Sequence, residues 1–389
     1  EIATADHFNR LFEISVEQPL DHNNPNGSTF TQKVYLGHVD FDTSLAFETE
    51  GYSRDEHRTR DLARIFQMNQ LTVEHRYFGS SKPNPLDWQY LTVWQAAMDH
   101  HRIVELFKDL YPGKWISSGS SKGGDAAIFH RRFFPEDVDA TVAFVAPILF
   151  SDRDTRFLEY YNIVGDAQCR QKLKDYQRLM LQNLDEFPPL FQEYVDFVNS
   201  TYGTNITFSL DYKAIIYHSI REDFPFEFWS SETVGCENIP DETSSIQELF
   251  DHYVAVMDVF LFFSDYGVDF WTPWYYQSVT EIGNYAYDIA HLEDLTMDIP
   301  ELFDLGISTN FNEPVMNDID NWVRTTNVPM MLIYGEDDPW THAAFTVTKS
   351  ENVVKIVNPG TKHSTRIENL SQENYSLVRD KINGWILND

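Results

Sequence analysis

Cysteine is almost missing from this chain: 389 residues carry two, Cys169 and Cys236. That excludes a small disulfide-stapled scaffold, and no cysteine or histidine spacing fits a metal centre, so no metal and no cofactor are expected. The two cysteines leave open a single disulfide or two buried thiols, because spacing does not decide between them. Long apolar runs are missing as well. The longest, from Val254 to Phe263, is interrupted by Asp258. It is too short to span a bilayer, so no membrane partner is expected. Basic charge is scarce: Lys plus Arg number 29 against 61 Asp plus Glu, a net charge of −32 with a pI near 4.6. Phosphate would be repelled, which excludes nucleic acid as a partner. The acidic excess implies a solvated surface and suits a substrate that carries positive charge, such as a peptide amino terminus.

What is present points to a large globular protein. Hydrophobic residues make up 42% and aromatics 15%, enough to bury a sizeable core as one large domain or a domain with an insertion. The chain opens on Glu1, not Met, which reads as a mature or trimmed product. Five Asn-x-Ser/Thr sequons, at Asn26, Asn199, Asn205, Asn369 and Asn374, would matter only in a eukaryotic secretory pathway.

The chain is organised around 114–124, KWISSGSSKGG. This reads as a short apolar strand, a glycine-rich corner and a helix starting near Asp125. Inside it Gly119-x-Ser121-x-Gly123 forms a nucleophile elbow, in which a serine on a strained strand-to-helix turn needs small neighbours two residues to either side. With only 17 glycines in the chain, the pattern is expected by chance roughly 0.05 times. Ser120 lacks glycines at both offsets, so Ser121 is the nucleophile.

Around this stretch the sequence alternates. Leu11–Val16, Phe30–Val39 and Ser44–Thr49 read as strands, Arg58–Gln67 as a helix and Gln70–Glu74 as a strand. Thr92–Tyr111 is a helix with apolar residues at helical spacing, stopped by Pro112-Gly113, and Ala140–Val145 is another strand. The alternation implies a doubly wound, mostly parallel sheet. After Pro147 it stops, and 149–318 reads as an inserted, mainly helical cap between a first core part (1–148) and a second (319–389). In the second part, strands at Val328–Tyr334 and Val353–Val357 precede a closing helix at Ser371–Leu387.

A serine hydroxyl needs a histidine base, and the histidine needs a carboxylate. In such a sheet the order is Ser, acid, His at the ends of late strands. The first late strand ends in Gly335-Glu336-Asp337-Asp338-Pro339-Trp340, the second in Asn358-Pro359-Gly360-Thr361-Lys362-His363. The offset 363 − 338 = 25 leaves room for one helix and one strand between Asp338 and His363. Asp338 is chosen because a three-residue reach past Gly335 brings its carboxylate back over the sheet. Spacing alone does not separate it from Asp337. His342 is the rival base, but it sits in the acid's own loop.

Further motifs carry a resemblance. Glu74-His75-Arg76-Tyr77-Phe78-Gly79-Ser80-Ser81, Tyr90-Leu91-Thr92 with Gln95-Ala96, the segment Trp274–Glu281, Asp338-Pro339-Trp340 and Gly360-x-x-His363 resemble the proline-specific serine exopeptidases. Those are the lysosomal Pro-X carboxypeptidase and dipeptidyl peptidase II group. Lys122 and Ser278 stand where that group has Tyr and Cys, and the elbow Ser121-Lys122-Gly123-Gly124 is more similar to that of the secreted bacterial tripeptidyl and tetrapeptidyl aminopeptidases. The resemblance runs from about residue 10 to 370 and implies an α/β-hydrolase fold with a cap. It also implies peptide substrates cut near proline, and secretion to an extracellular or periplasmic space.

The expected chemistry is acyl transfer. Ser121 attacks, His363 moves the proton and Asp338 orients the histidine, while the backbone N–H of Lys122 and a donor around Gly51 and Tyr52 hold the oxyanion. An enzyme that counts from a free amino terminus needs a carboxylate for the ammonium, and Glu74 and Glu281 are the candidates. A structural ion pair, for Glu74 with Arg76, is the competing role. Trp274 and Tyr275, with Trp271 and Tyr276, are candidates for a proline pocket or for ordinary cap core. A capped esterase or lipase would use the same triad behind an apolar mouth. A binding protein on a dead hydrolase fold would not keep all three residues.

Overall fold

The computed structural model describes residues 1–3, 6–300, 302, 310–348 and 350–387. Eight strands build one sheet: β1 (Arg10–Pro19), β2 (Thr29–His38), β3 (Leu45–Thr49), β4 (Asn69–Val73), β5 (Trp115–Ser120), β6 (Ala140–Phe144), β7 (Met330–Gly335) and β8 (Val353–Asn358). Their order is β1-β2-β4-β3-β5-β6-β7-β8. The first two pairings are antiparallel, and every pairing from β4 to β8 is parallel. Every residue of β3, β4 and β6 is buried, as central parallel strands covered on both faces must be. β1, at the edge, exposes alternate residues.

Helices α1 (Asp61–Phe66), α2 (Val93–Phe107) and α3 (Lys122–Phe133) connect the early strands. Two of them are shorter than the sequence pattern suggests. α1 ends at Gln67, which turns left-handed. α2 stops at Phe107, short of Pro112. At its start the Thr92 side chain accepts a hydrogen bond from Gln95 N, an N-cap that sets the first turn. α3 starts three residues earlier than expected, directly after Ser121. The expected helix between the acid and the histidine is reduced to a 3-10 turn at Pro339–Ala343: among the described residues of 344–352 none is helical.

The chain divides into two compact units, Glu1–Ser151 with Thr280–Gly283 and Phe311–Asp389, and Asp152–Val279 with Asn284–Asn310. Of the stretch 149–318 expected as the insertion, 149–151, 280–283 and 311–318 fall in the first unit. The second unit carries α4 (Arg156–Ile163), α5 (Ala167–Gln182), α6 (Phe187–Tyr202), α7 (Tyr212–Arg221), α8 (Phe224–Ser230), α9 (Ile246–Val256), α10 (Val259–Phe263) and α11 (Asp265–Gln277). It has its own core, built on Leu173, Tyr176, Phe187, Phe191, Ile216 and Tyr253. A disulfide joins Cys169 on α5 to Cys236 and closes a separation of 67 residues. α12 (Glu313–Thr325) and α13 (Gln372–Leu387) return to the sheet-bearing unit.

Candidate active site

β3 lies between β4 and β5, so the crossover from β3 to β4 and the next, from β4 to β5, run in opposite directions along the sheet. In open parallel sheets that reversal opens a crevice at the carboxyl ends of the strands. The loop after β3 carries Gly51, and the turn after β5 carries Ser121. Ser121 has φ 55° and ψ −131°, a region disfavoured for any side-chain-bearing residue. The turn holds because its neighbours are glycines. A Cβ on Gly119 would collide with the Gly123 carbonyl, and one on Gly123 would sit 2.5 Å from Thr49 O. Thr49 closes the turn from the other side, its Oγ1 donating to Gly123 O at 2.8 Å and Ser118 O at 3.1 Å. Sequence reading passed over Thr49, since a threonine at a strand end carries no signal of such a role.

The acid and histidine loops are fastened together. Glu336 N donates to Asn358 O at 2.9 Å and Asp337 N to Thr361 O at 3.0 Å. Gly335 lets them approach: a Cβ there would lie 2.5 Å from Lys362 O. Asp337 is exposed, whereas Asp338 is 1% exposed. Asp338 Oδ2 accepts from His363 Nδ1 at 2.8 Å, and its Oδ1 accepts from Trp340 N at 3.0 Å. The structure thus brings Asp338, and not Asp337, to His363. His342 is exposed.

The segment after β3 is held rigidly. Glu50 pairs with Arg54 at 2.9 Å and Arg60 at 2.5 Å. A Cβ on Gly51 would come within 2.7 Å of Gly123 N and Lys122 Cβ, so this loop lies against the elbow. The Lys122 side chain is buried and donates from Nζ to Gly51 O at 2.7 Å, over the faces of Phe78 and Tyr52. Burial pushes its pKa down to about 7, partly opposed by Asp125. Burial likewise drives the Asp125 carboxyl up. The Lys122 N–H opens α3, where it has no intrahelical acceptor.

The two carboxylates expected to meet an ammonium have other partners. Glu74 is fully buried; its Oε1 accepts from the backbone and hydroxyl of both Ser80 and Ser81, and its Oε2 accepts from Arg54 N at 2.7 Å. It organises the loop after β4 and does not pair with Arg76, which instead forks onto Asp99 at 2.6 and 2.9 Å. Glu281 Oε2 accepts from Val93 N at 2.7 Å, capping α2, and Asn312 bonds the same side chain. Its pKa is raised, by burial first. Both therefore have structural roles. Trp274 and Tyr275 stand on α11 in the helical unit, half-buried, their rings 5.1 Å apart.

The strand order and the serine elbow define an α/β-hydrolase fold, and the enzyme is a serine peptidase. The chain belongs to the PS-10 peptidase S37 family, whose pattern matches residues 5–387. It is 31% identical over 387 residues to the prolyl tri/tetrapeptidyl aminopeptidase of Streptomyces mobaraensis, covering 97% of this chain and 80% of that one. Among solved structures it is similar to a proline iminopeptidase from Mycobacterium smegmatis (13% identity, TM-score 0.41, 96% of this chain and 99% of that one). Epoxide hydrolase A from Mycobacterium thermoresistibile is similar to the same degree (14% identity, TM-score 0.41, 96% and 99%). The fold assignment rests on the strand order, not on these two likenesses. Among the described residues no group of three metal-ligating side chains occurs, and no helix is long and apolar enough to cross a membrane.

Proposed function

We propose that the protein is a secreted exopeptidase that releases tri- or tetrapeptides from free amino termini, cutting after proline, through Ser121, His363 and Asp338. The observation that carries the catalytic part is the 2.8 Å bond from His363 Nδ1 to the buried Asp338, on strand ends that share an edge with the strained Ser121. That bond leaves Nε2 as the proton acceptor. Ser121 Oγ attacks the scissile carbonyl carbon as His363 Nε2 takes its proton. Collapse of the tetrahedral adduct breaks the C–N bond, and the same proton passes to the leaving amine. Water then cleaves the acyl-enzyme by the reverse sequence.

The Lys122 N–H is one oxyanion donor. The other comes from the Gly51–Tyr52 peptide, which the Lys122 side chain orients through the Gly51 carbonyl. Release near an amino terminus and the preference for proline rest on the likeness to the Streptomyces aminopeptidase. The Cys169–Cys236 disulfide supports an oxidising compartment and hence secretion. The test is labelling with a fluorophosphonate followed by peptide mapping. Modification at Ser121, lost in S121A, is expected; turnover surviving in S121A would refute the scheme.

A further inference from the structure

The turn that carries His363 has its carbonyls taken one by one. Asp337 N donates to Thr361 O at 3.0 Å. Thr365 donates to Lys362 O from its N–H at 3.1 Å and from Oγ1 at 2.6 Å. Asn369 Nδ2 donates to Ser364 O at 2.9 Å. The carbonyls of His363 and Thr365 go to a single guanidinium: Arg366 Nη1 donates to His363 O at 3.2 Å and to Thr365 O at 2.7 Å.

Arg366 is half-buried, and its guanidinium lies 6.0 Å over the Phe144 ring. Phe144 is in register with Ser120, next to the elbow serine, and Glu48 is in register with Ser118. Side-by-side residues of adjacent strands share a face, as do residues two apart, so all four line one face of the sheet. Asp61, Glu48 and Asp338 act on Arg366 electrostatically, yet among the described residues none forms an ion pair with it. Asp61 is bound to Arg64 at 2.8 Å and Asp338 to His363 at 2.8 Å, while Glu48 Oε1 is buried without a hydrogen-bond partner. Burial lowers the Arg366 pKa, reinforced by Arg60 and opposed by the three acids.

A half-buried cation with no paired carboxylate is costly, and it persists where its donors hold something that a neutral side chain would not. Hydrogen bonds from an ionised donor are about twice as strong as neutral ones. We infer that Arg366 is a positioning residue of the proposed triad: it fixes the main chain on which His363 stands, while Asp338 fixes the ring. The inference rests on the reading of His363 as the base. Held at both ends, the imidazole keeps Nε2 in one place while it takes up a proton and gives it back. Glu48 and Asp61 supply the negative field that keeps the guanidinium charged. One nitrogen serves both carbonyls, so the role requires a cationic donor and not the arginine fork.

The test measures kcat and KM on one chromogenic proline peptide for the wild type, H363A, R366M, R366A and R366K. R366M should lose kcat by about 10²-fold, the usual effect of a base displaced by an ångström, with KM within about twofold. R366K should recover about a tenth or more of the wild-type kcat, because an ammonium can donate to the same carbonyls. Thermal melting reports folding, and either R366M or R366A suffices if folded. Wild-type kcat in a folded truncation overturns the role, as does a loss that R366K does not recover, which would trace to packing on Phe144; both leave the triad standing when H363A is inactive. Turnover surviving in H363A overturns the triad reading, and the role of Arg366 with it.

Discussion

At Ser121 the backbone is held at a positive φ by two glycines and by Thr49, and the proposed nucleophile therefore has little freedom to relax. S121A should lower turnover by about 10⁴-fold or more, measured on a chromogenic proline peptide. D338N should approach the same loss, because His363 would be held in the wrong tautomer. In the proposed scheme the Lys122 side chain acts at one remove, as a positioning residue that holds the Gly51 carbonyl. K122M frees the Gly51 carbonyl, so kcat should fall by about 10–100-fold while KM moves less. A fall in KM affinity with kcat intact would contradict that role. The glycine spacing makes Ser121 legible in the sequence, and Gly335 with the strand ends makes Asp338 and His363 so. Asp338 parts from Asp337 only in the fold, where one is buried against the histidine and the other faces water. A lysine side chain turned inward onto a carbonyl has no signature at all.

Among the elements, the loop after β4 depends on Glu74. Five donors converge on its two oxygens, and E74Q replaces an acceptor with a donor facing them. Such a change should cost about 2–3 kcal/mol in denaturant unfolding and should leave any preference for a free amino terminus intact. Loss of that preference in a folded E74Q would return Glu74 to the substrate site. In the helical unit the Cys169–Cys236 link closes a 67-residue separation. Removing it should cost about 4 kcal/mol by the loop-entropy relation, read as an earlier unfolding of that unit in reductant. The buried parallel strands are readable from sequence because each is a short apolar run between turn residues. The segment before β8 misleads because its apolar residues are spaced well enough for a helix, yet past the short 3-10 turn Pro339–Ala343 the path from Ala344 is irregular.

For the molecule as a whole, a net charge of −32 keeps the surface solvated and draws cationic peptide ends, an attraction that should weaken with salt. Asp223 and Glu227, beside and within α8, also shape stability against pH. Burial raises their carboxyls to about 7 and about 8 in the folded chain, against about 4 when unfolded. Between those values the folded state holds more protons than the unfolded one. These two groups therefore make stability fall as pH rises from about 4 through about 8. D223N and E227Q should each flatten that decline and melt at or above the wild type at pH 8; steeper losses in the variants would contradict it. The central claim, a serine peptidase that counts from a free amino terminus, is tested most directly by mass spectrometry of a digest. Two copies of one peptide would carry proline at positions two, three and four, one with a free and one with an acetylated amino terminus. Release of a tri- or tetrapeptide from the free copy alone is predicted. Loss of a single carboxy-terminal residue from both copies would contradict it.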